Sequence, residues 1–290
     1  MRNVIAIILL TLVCSLYGQN KEYKATRNES HKFKADNIQK LDINVQNAHI
    51  TINECSGEYI QVNIKVEVKD HNKYNVDREI DWLKCVTEKH KSDIIISNSI
   101  VLPKGLKQSP QCKHITYIEI FMPKIESIKI NLNIGSLLLD NLKSEINFQT
   151  KLCKTTFYNC ELKGEFHQTL GESNVNNCTL KGSFIFVNVV SKLSNIMGNL
   201  EIDATDSKIS LSQQKNAYTF QWDILRSEIN WVSSHALLPN LKFEMNASSL
   251  TLPSFMQKQT SKLSYHYENK QNKNLFHLKA QNSFINIYNN

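Results

Sequence analysis

Short runs of alternating apolar and polar residues recur along the chain. The clearest is Ile60, Val62, Ile64, Val66 and Val68, interleaved with Gln61, Asn63, Lys65 and Glu67. A period of two puts the branched side chains on one buried face of a strand and the polar ones on the other. Ile43 and Val45, then Ile50 and Ile52, predict short strands ahead of a turn-like segment, Glu54 to Glu58. Strand character returns at Ile94 to Ile96 and at Ile118, Ile120 and Met122, where Pro123 ends the run. Near residue 75 the period lengthens. Val76, Ile80 and Leu83 share one helical face, Asn75 is the expected N-cap, and Asp77 and Glu79 fall in the favoured acidic first turn. One or two short helical pieces are the most that this pattern predicts.

From about Ile128 a longer period takes over. Steps of 18 lead from Ile130 through Phe148, Phe166, Phe184 and Ile202 to Phe220. A second column, nine residues later, runs through Leu139, Phe157, Val175, Leu193, Leu211 and Ile229. Asn141, Asn159, Asn177 and Asn195 repeat at the same interval. Asn tolerates left-handed backbone and can bond its copy in the next coil, so this column predicts a corner. Coils that stack at about 4.8 Å must be apolar at every inward position, which makes the Phe and Ile columns a core.

The expected fold is therefore all-β: a parallel β-solenoid, or β-helix, with coils of about 18 residues and a short helical insertion toward the N-terminal side. Residues 1–18 are read as a signal peptide, 19–40 as a flexible leader and 41–123 as an N-terminal β segment with a short helix. Residues 124–290 are read as the solenoid repeat domain, either separate from 41–123 or continuous with it. The nine-residue offset recurs at Leu41 with Ile50, Ile43 with Ile52, Phe243 with Leu252, Phe276 with Ile285 and Leu278 with Ile287. These flanks are expected as further coils or caps, with 253–274 as a looping insertion.

The stretch YIEIFMPKIESIKINLNIGSLLLDNLKSEINFQT, residues 117–150, and the closing AQNSFINIYN resemble a bacterial adhesin-like β-strand-repeat family of unknown function, related to auto-transporter adhesin head domains. In that family a strand ends in Pro, as at Pro123. Gly then precedes an apolar residue by a few positions, as Gly135 precedes Leu139 and Gly171 precedes Val175. The resemblance spans about residues 38–290 and implies an exported β-solenoid without known catalytic residues. Cys153, Val189 and Ser207 replace the repeat's Gly, so the turns there need not be equally tight.

Composition suits a packed domain: hydrophobic residues make up 41% and charged residues 21%, with 8 Gly and 5 Pro among 290 residues. Arg2 precedes an apolar run from Val4 to Val13 that is about half the roughly 20 residues needed to span a bilayer. This is the signature of a signal peptide that leaves no transmembrane span after removal, with cleavage after Gly18. The expected location is the periplasm, the outer-membrane surface or the medium. Lipidation at Cys14 is the less favoured route, because bulky Val13 precedes it. The formal net charge of +7 is a mild surplus. Lys21, Lys24, Lys32, Lys34 and Lys40, and late in the chain Lys258, Lys262, Lys270 and Lys273, read as solvated surface. No nucleic-acid motif accompanies them, so no nucleic-acid partner is expected. Six Cys follow the signal, none with C-x-x-C spacing. Cys160 and Cys178, one period apart, are expected as stacked neighbours in ordinary packing in preference to a disulfide.

No catalytic, cofactor-binding or metal-ligating residue is assigned. Asp203 and Asp206 are close in sequence and could pair or hold a cation, but two exposed acids near a turn are the plainer reading. His167 is the only His in the 18-residue array. The expectation is thus a non-catalytic, adhesin-like structural and binding module of the cell envelope or medium, with glycans or other envelope proteins as partners. Oligomeric state is left open. The rival is a carbohydrate-active lyase or hydrolase on a β-helix, which would need a groove lined with carboxylates.

Overall fold

The structure, a computed structural model, describes residues 21–289 apart from 213–217, 234–237, 255, 257–263, 270, 271 and 273. Residues 1–18, expected as a signal peptide, with Cys14, and Lys258, Lys262, Lys270 and Lys273, lie outside the described residues. Within them the protein is all-β with one α-helix, and its strands join in one mostly parallel sheet.

Strand β2 (Lys40–Glu54) bends at Asn47, where φ is 50°, into two arms. Strands β7 (Ser127–Asp140), β8 (Lys143–Tyr158), β9 (Glu161–Asn176) and β10 (Thr179–Ser194) bend likewise. Each lies parallel to the one before, and from β7 to β10 all the paired residues are 18 apart, with the bend residues themselves left out of the pairing. Beyond β10 the two arms are separate strands. β11 (Met197–Thr205) and β12 (Lys208–Ser212) form one tier, and β13 (Tyr218–Leu225) and β14 (Glu228–Ser233) the next.

The column of first-arm core residues runs Ile43, Ile130, Phe148, Phe166, Phe184, Ile202 and Trp222, and all are buried. The second-arm column runs Ile52, Leu139, Phe157, Val175, Leu193, Leu211 and Trp231. Each expected column is corrected at its last member. The offset grows from 18 to 20 between these last tiers, so Trp222 and Trp231 take the places expected for Phe220 and Ile229. An even insertion keeps inward residues inward, which is why Phe220 and Ile229 are still buried, beside Leu200 and Ile209.

The first-arm rings of Phe148, Phe166 and Phe184 pack against Phe157 of the second arm, and the last two stack at 4.3 Å. Nearer the bend the second arms carry the small buried residues Thr155, Ser173 and Ser191. Buried Gln168 completes this layer by donating to the carbonyls of Cys153 and Glu172 and accepting from the Thr155 hydroxyl.

Both kinds of bend use left-handed backbone. Asn141, Asn159, Asn177 and Asn195 all have φ of 53° or 54°, as their column predicts, and the Asn195 amide donates to Asn177 Oδ1 at 2.9 Å. The other bend holds Asn47, Ile134, Leu152, Leu170, Asn188, Asp206 and Arg226, all with φ between 47° and 63°. Gly171 follows one of these, and a Cβ there would sit 2.0 Å from the Cys153 carbonyl oxygen. Cys153, Val189 and Ser207 stand at equivalent places without changing the φ of the residue before them.

Two further tiers complete one end, out of chain order. β18 (Leu275–Gln281) and β19 (Phe284–Asn289) pair with β13 and β14. β15 (Asn240–Asn246) and β16 (Ser249–Thr251) lie outside them. Antiparallel β17 (Ser264–Tyr267) then covers β15, so the expected looping insertion contains a strand.

At the other end, β5 (Asp93–Ile100) and β6 (Lys113–Met122) extend the two arms of β2 in parallel. Antiparallel β4 (Leu83–His90) and β3 (Tyr59–Asp70) then cover them. Residues 23–34, expected within a flexible leader, form β1 (Tyr23–Lys34), antiparallel to β3 over its whole length. Its inward face carries Tyr23, Ala25 and Phe33 against the core but Arg27, Glu29 and His31 between them, so the alternation left only a broken hydrophobic trace. Lys24 bonds Glu67 at 2.9 Å, and the Arg27 guanidinium donates to the Ile80 and Leu83 carbonyls.

Helix α1 (Lys73–Trp82) packs against β1 and β3. Its cap is Asn72, not Asn75: the Asn72 side chain accepts from the Tyr74 N–H at 2.9 Å, and the first turn holds no acid. Glu79 is instead buried, where it accepts from the Cys112 backbone N–H and lies 3.2 Å from His114 Nδ1. Cys112, Cys153, Cys160 and Cys178 are buried free thiols. Cys160 and Cys178 stack as expected, with the Cys160 N–H directed at Cys178 Sγ. No described helix is long and apolar enough to cross a membrane.

Two outcomes test this packing. Phe166→Ala should cost about 3–5 kcal/mol, and Phe166→Asp should abolish the cooperative thermal transition followed by circular dichroism. The hydrogen bonds from Lys65 and Lys24 hold the Glu67 carboxyl down to about 2. A folded value below the ordinary 4.5 gives stability that is present above that pH and is lost as pH falls toward 2. In urea titrations, wild type should exceed Glu67→Gln at pH 7, and the gap should close by about pH 2.

Candidate functional site

The outward residues that precede the second bend form a strip along the whole stack. In each tier the strand must turn sharply there, and the strip is hollowed into two grooves in line. The first, about 560 Å³, lies at the β2 end and is lined by residues from β2, β5 and β7 to β9. The second, about 550 Å³, lies among the later tiers.

The first groove is lined with amides. In-register pairing sets Asn44 beside Asn131 and Asn131 beside Gln149, and sets Gln46 beside Asn133 and Asn133 beside Lys151. These are two columns over three tiers, about 4.8 Å apart. Asn98, at the rim, is occupied: its Oδ1 accepts from the Gln46 N–H at 2.9 Å, and its amide donates to the Gln46 carbonyl at 2.8 Å. It thus continues the strand pairing where β5 leaves β2. Among the described residues, the side-chain amides of Asn44, Gln46, Asn131, Asn133 and Gln149 have no hydrogen-bond partner. At the corners, by comparison, the Asn195 amide bonds Asn177. The groove amides present ten unused donor and acceptor groups, one C=O and one NH2 from each of the five, to whatever enters.

The second groove has an apolar floor, with Ala204, Ile224, Met245 and Ala280, and an ionic wall in which Asp203, Asp223, Lys279 and Glu244 stand in adjacent tiers. Partial desolvation and the neighbouring Asp223 carboxylate raise the Asp203 pKa. Glu244 is held below its ordinary value by hydrogen bonds from Lys242 and His277. The structure does not bring Asp203 and Asp206 together as a pair. Asp206 is the bend residue, and both its oxygens accept from the Arg226 guanidinium at 2.7 Å, which lowers its pKa. Asp203 faces Asp223 instead, because residues 20 apart are the ones aligned there. His167 is outward on β9, 4.0 Å from Glu165.

Sequence reasoning missed the groove amides. The available signal was the 18-residue spacing of Asn131 with Gln149 and of Asn133 with Lys151, on the outward phase just before a bend. Asn44 and Gln46 carried no such signal, because residues 55–126 separate their tier from β7.

No protein-family model and no curated protein matches the chain. Among solved structures it is similar to a protein assigned as an adhesin from Bacteroides fragilis, with 10% identity, coverage of 90% of this chain and 97% of that one, and a TM-score of 0.44. It is also similar to one assigned as a lipid binding protein from Parabacteroides distasonis, at 12% identity, 90% and 97% coverage and a TM-score of 0.40. A third, assigned as a cell adhesion protein from Clostridium sporogenes, has 12% identity, 92% and 100% coverage and a TM-score of 0.26. At these values no residue role is carried across.

The Asp203 environment can be tested directly. Carboxyl titration by carbon-13 NMR should show Asp203 above the ordinary Asp range and Asp206 below it, and Asp223→Asn should bring Asp203 back toward its ordinary value.

Proposed function

We propose that the chain is an exported, adhesin-like β-solenoid: a non-catalytic binding module that holds an extended glycan along the amide groove. The offset of 18 between tiers and the matched core columns support the solenoid. Arg2 and the apolar run that follows it support export to the periplasm, the outer-membrane surface or the medium.

The observation that carries the binding reading is the set of five unpartnered amides in two ladders. Saccharide hydroxyls both donate and accept, as an amide does, and an extended glycan offers them at a regular repeat. A ladder of amides one tier apart therefore suits a chain of sugars better than a single small solute. Lys151 is the one charged side chain of this groove, which favours a ligand of little charge.

A second reading, a carbohydrate-active enzyme, draws on Asp203, Asp223 and Glu244 in the other groove. Lys279 stands between Asp223 and Glu244 in register, and Glu244 is bonded to Lys242, so these acids are partly neutralised where a catalytic pair would need one acid protonated and one free.

A glycan array probed with the chain from Gln19 tests both. Binding is expected, with Asn131→Ala plus Gln149→Ala weakening it at least tenfold while melting as wild type does. An array without signal, or a double variant that binds undiminished, would sink the glycan reading. Release of reducing ends from a bound polysaccharide, lost in Asp203→Asn, would replace it with the enzymatic one.

A further inference from the structure

Three adjacent bends carry large aliphatic residues, which the same bend uses nowhere else among the described residues. Ile134, Leu152 and Leu170 hold left-handed backbone, with φ of 63°, 56° and 58°. They are also exposed, at 46%, 50% and 37%. Left-handed backbone is disfavoured for a long or branched apolar side chain, most of all for a β-branched one such as Ile134. Exposure means that little burial offsets this strain. At equivalent bends the chain uses Asn47, Asn188, Asp206 and Asn282, with φ of 50°, 56°, 50° and 49°, and also Arg226 and Ala247, at 47° and 48°. The bend is therefore made equally well by the residues its backbone prefers, and the three apolar ones answer to something other than the turn.

Their position indicates what that is. Ile134, Leu152 and Leu170 directly follow Asn133, Lys151 and Thr169, three residues that line the amide groove, in three successive tiers. They stand as an apolar lip along its edge. We propose that this lip is part of the binding site and meets the apolar C–H faces of pyranose rings whose hydroxyls are bonded by the amides. The inference rests on the glycan reading of the groove and names its ligand class: a neutral polysaccharide of sugars with mainly equatorial hydroxyls, whose ring faces are apolar and whose rims are polar. Large apolar residues kept on left-handed backbone at a ligand site, where four other bends of the column use Asn or Asp, are the pattern expected of positions selected for binding.

The test is a triple variant, Ile134→Asn, Leu152→Asn and Leu170→Asn, with the single Leu152→Asn as a milder control. Both are measured by thermal melting and by titration with the best glycan from the array. Because Asn relieves the backbone, Tm should rise by a few degrees in the triple variant, while affinity should fall at least tenfold. A lower Tm would show that the three residues hold the fold, and unchanged affinity would show that the lip does not touch the ligand. Either outcome overturns the proposal. If the unmodified chain binds no glycan, the groove reading fails and the lip proposal falls with it. If Asn131→Ala plus Gln149→Ala abolishes binding while the triple variant keeps it, the groove reading stands and the lip alone is overturned.

Discussion

Parallel pairing in register obliges each position along a tier to share its surroundings with the equivalent positions above and below. Side chains cannot be placed one by one. A Phe at 166 is accommodated because Phe148 and Phe184 stand beside it in the same column and Phe157 meets it from the second arm. The same obligation acts on the outside, where whatever a tier presents to solvent is drawn out into a column. An amide ladder and an apolar lip are the natural products of such a lattice, and a compact cluster of unlike groups is not.

The constraint also explains the ends. A parallel stack leaves an unpaired strand edge and an open core at each terminal tier, and both invite association. Here the direction of pairing reverses at each end, with β4 on β5, β3 on β6 and β17 on β15. Helix α1 packs against the last of the strands at the β2 end, and buried Glu79, bonded to the Cys112 N–H and close to His114, ties it to the strand below. The charged residues of β1 then face the edge that remains.

Much of the stacked region could be read from the sequence because its rule is local arithmetic. An offset of 18 fixes Phe148, Phe166 and Phe184 in one column and Asn141, Asn159 and Asn177 in another. Reading failed where the arithmetic was interrupted. Two extra residues between β12 and β13 moved Trp222 and Trp231 into places expected for Phe220 and Ile229, and the step of two hid the error by preserving the inward face. β1 escaped because its apolar alternation, Tyr23, Ala25 and Phe33, is interrupted by Arg27, Glu29 and His31 on the same face. The amide groove was half legible, at Asn131 and Gln149. The rest comes from β2, which meets β7 only after 72 intervening residues form the cap, and no periodicity spans such a gap.

The order of tiers at the later end sets a schedule for assembly. The segment 275–289 lies between the tier of β13 and β14 and the tier of β15 and β16, so residues 240–251 have no surface to dock on until strands made after them have arrived. A chain emerging from a ribosome or a translocon can stack in sequence only as far as residue 233, and must then wait for the inserted tier before its outermost layer can close. Such a delay keeps the growing end open until the last strands are made and makes completion of the stack a late, concerted event.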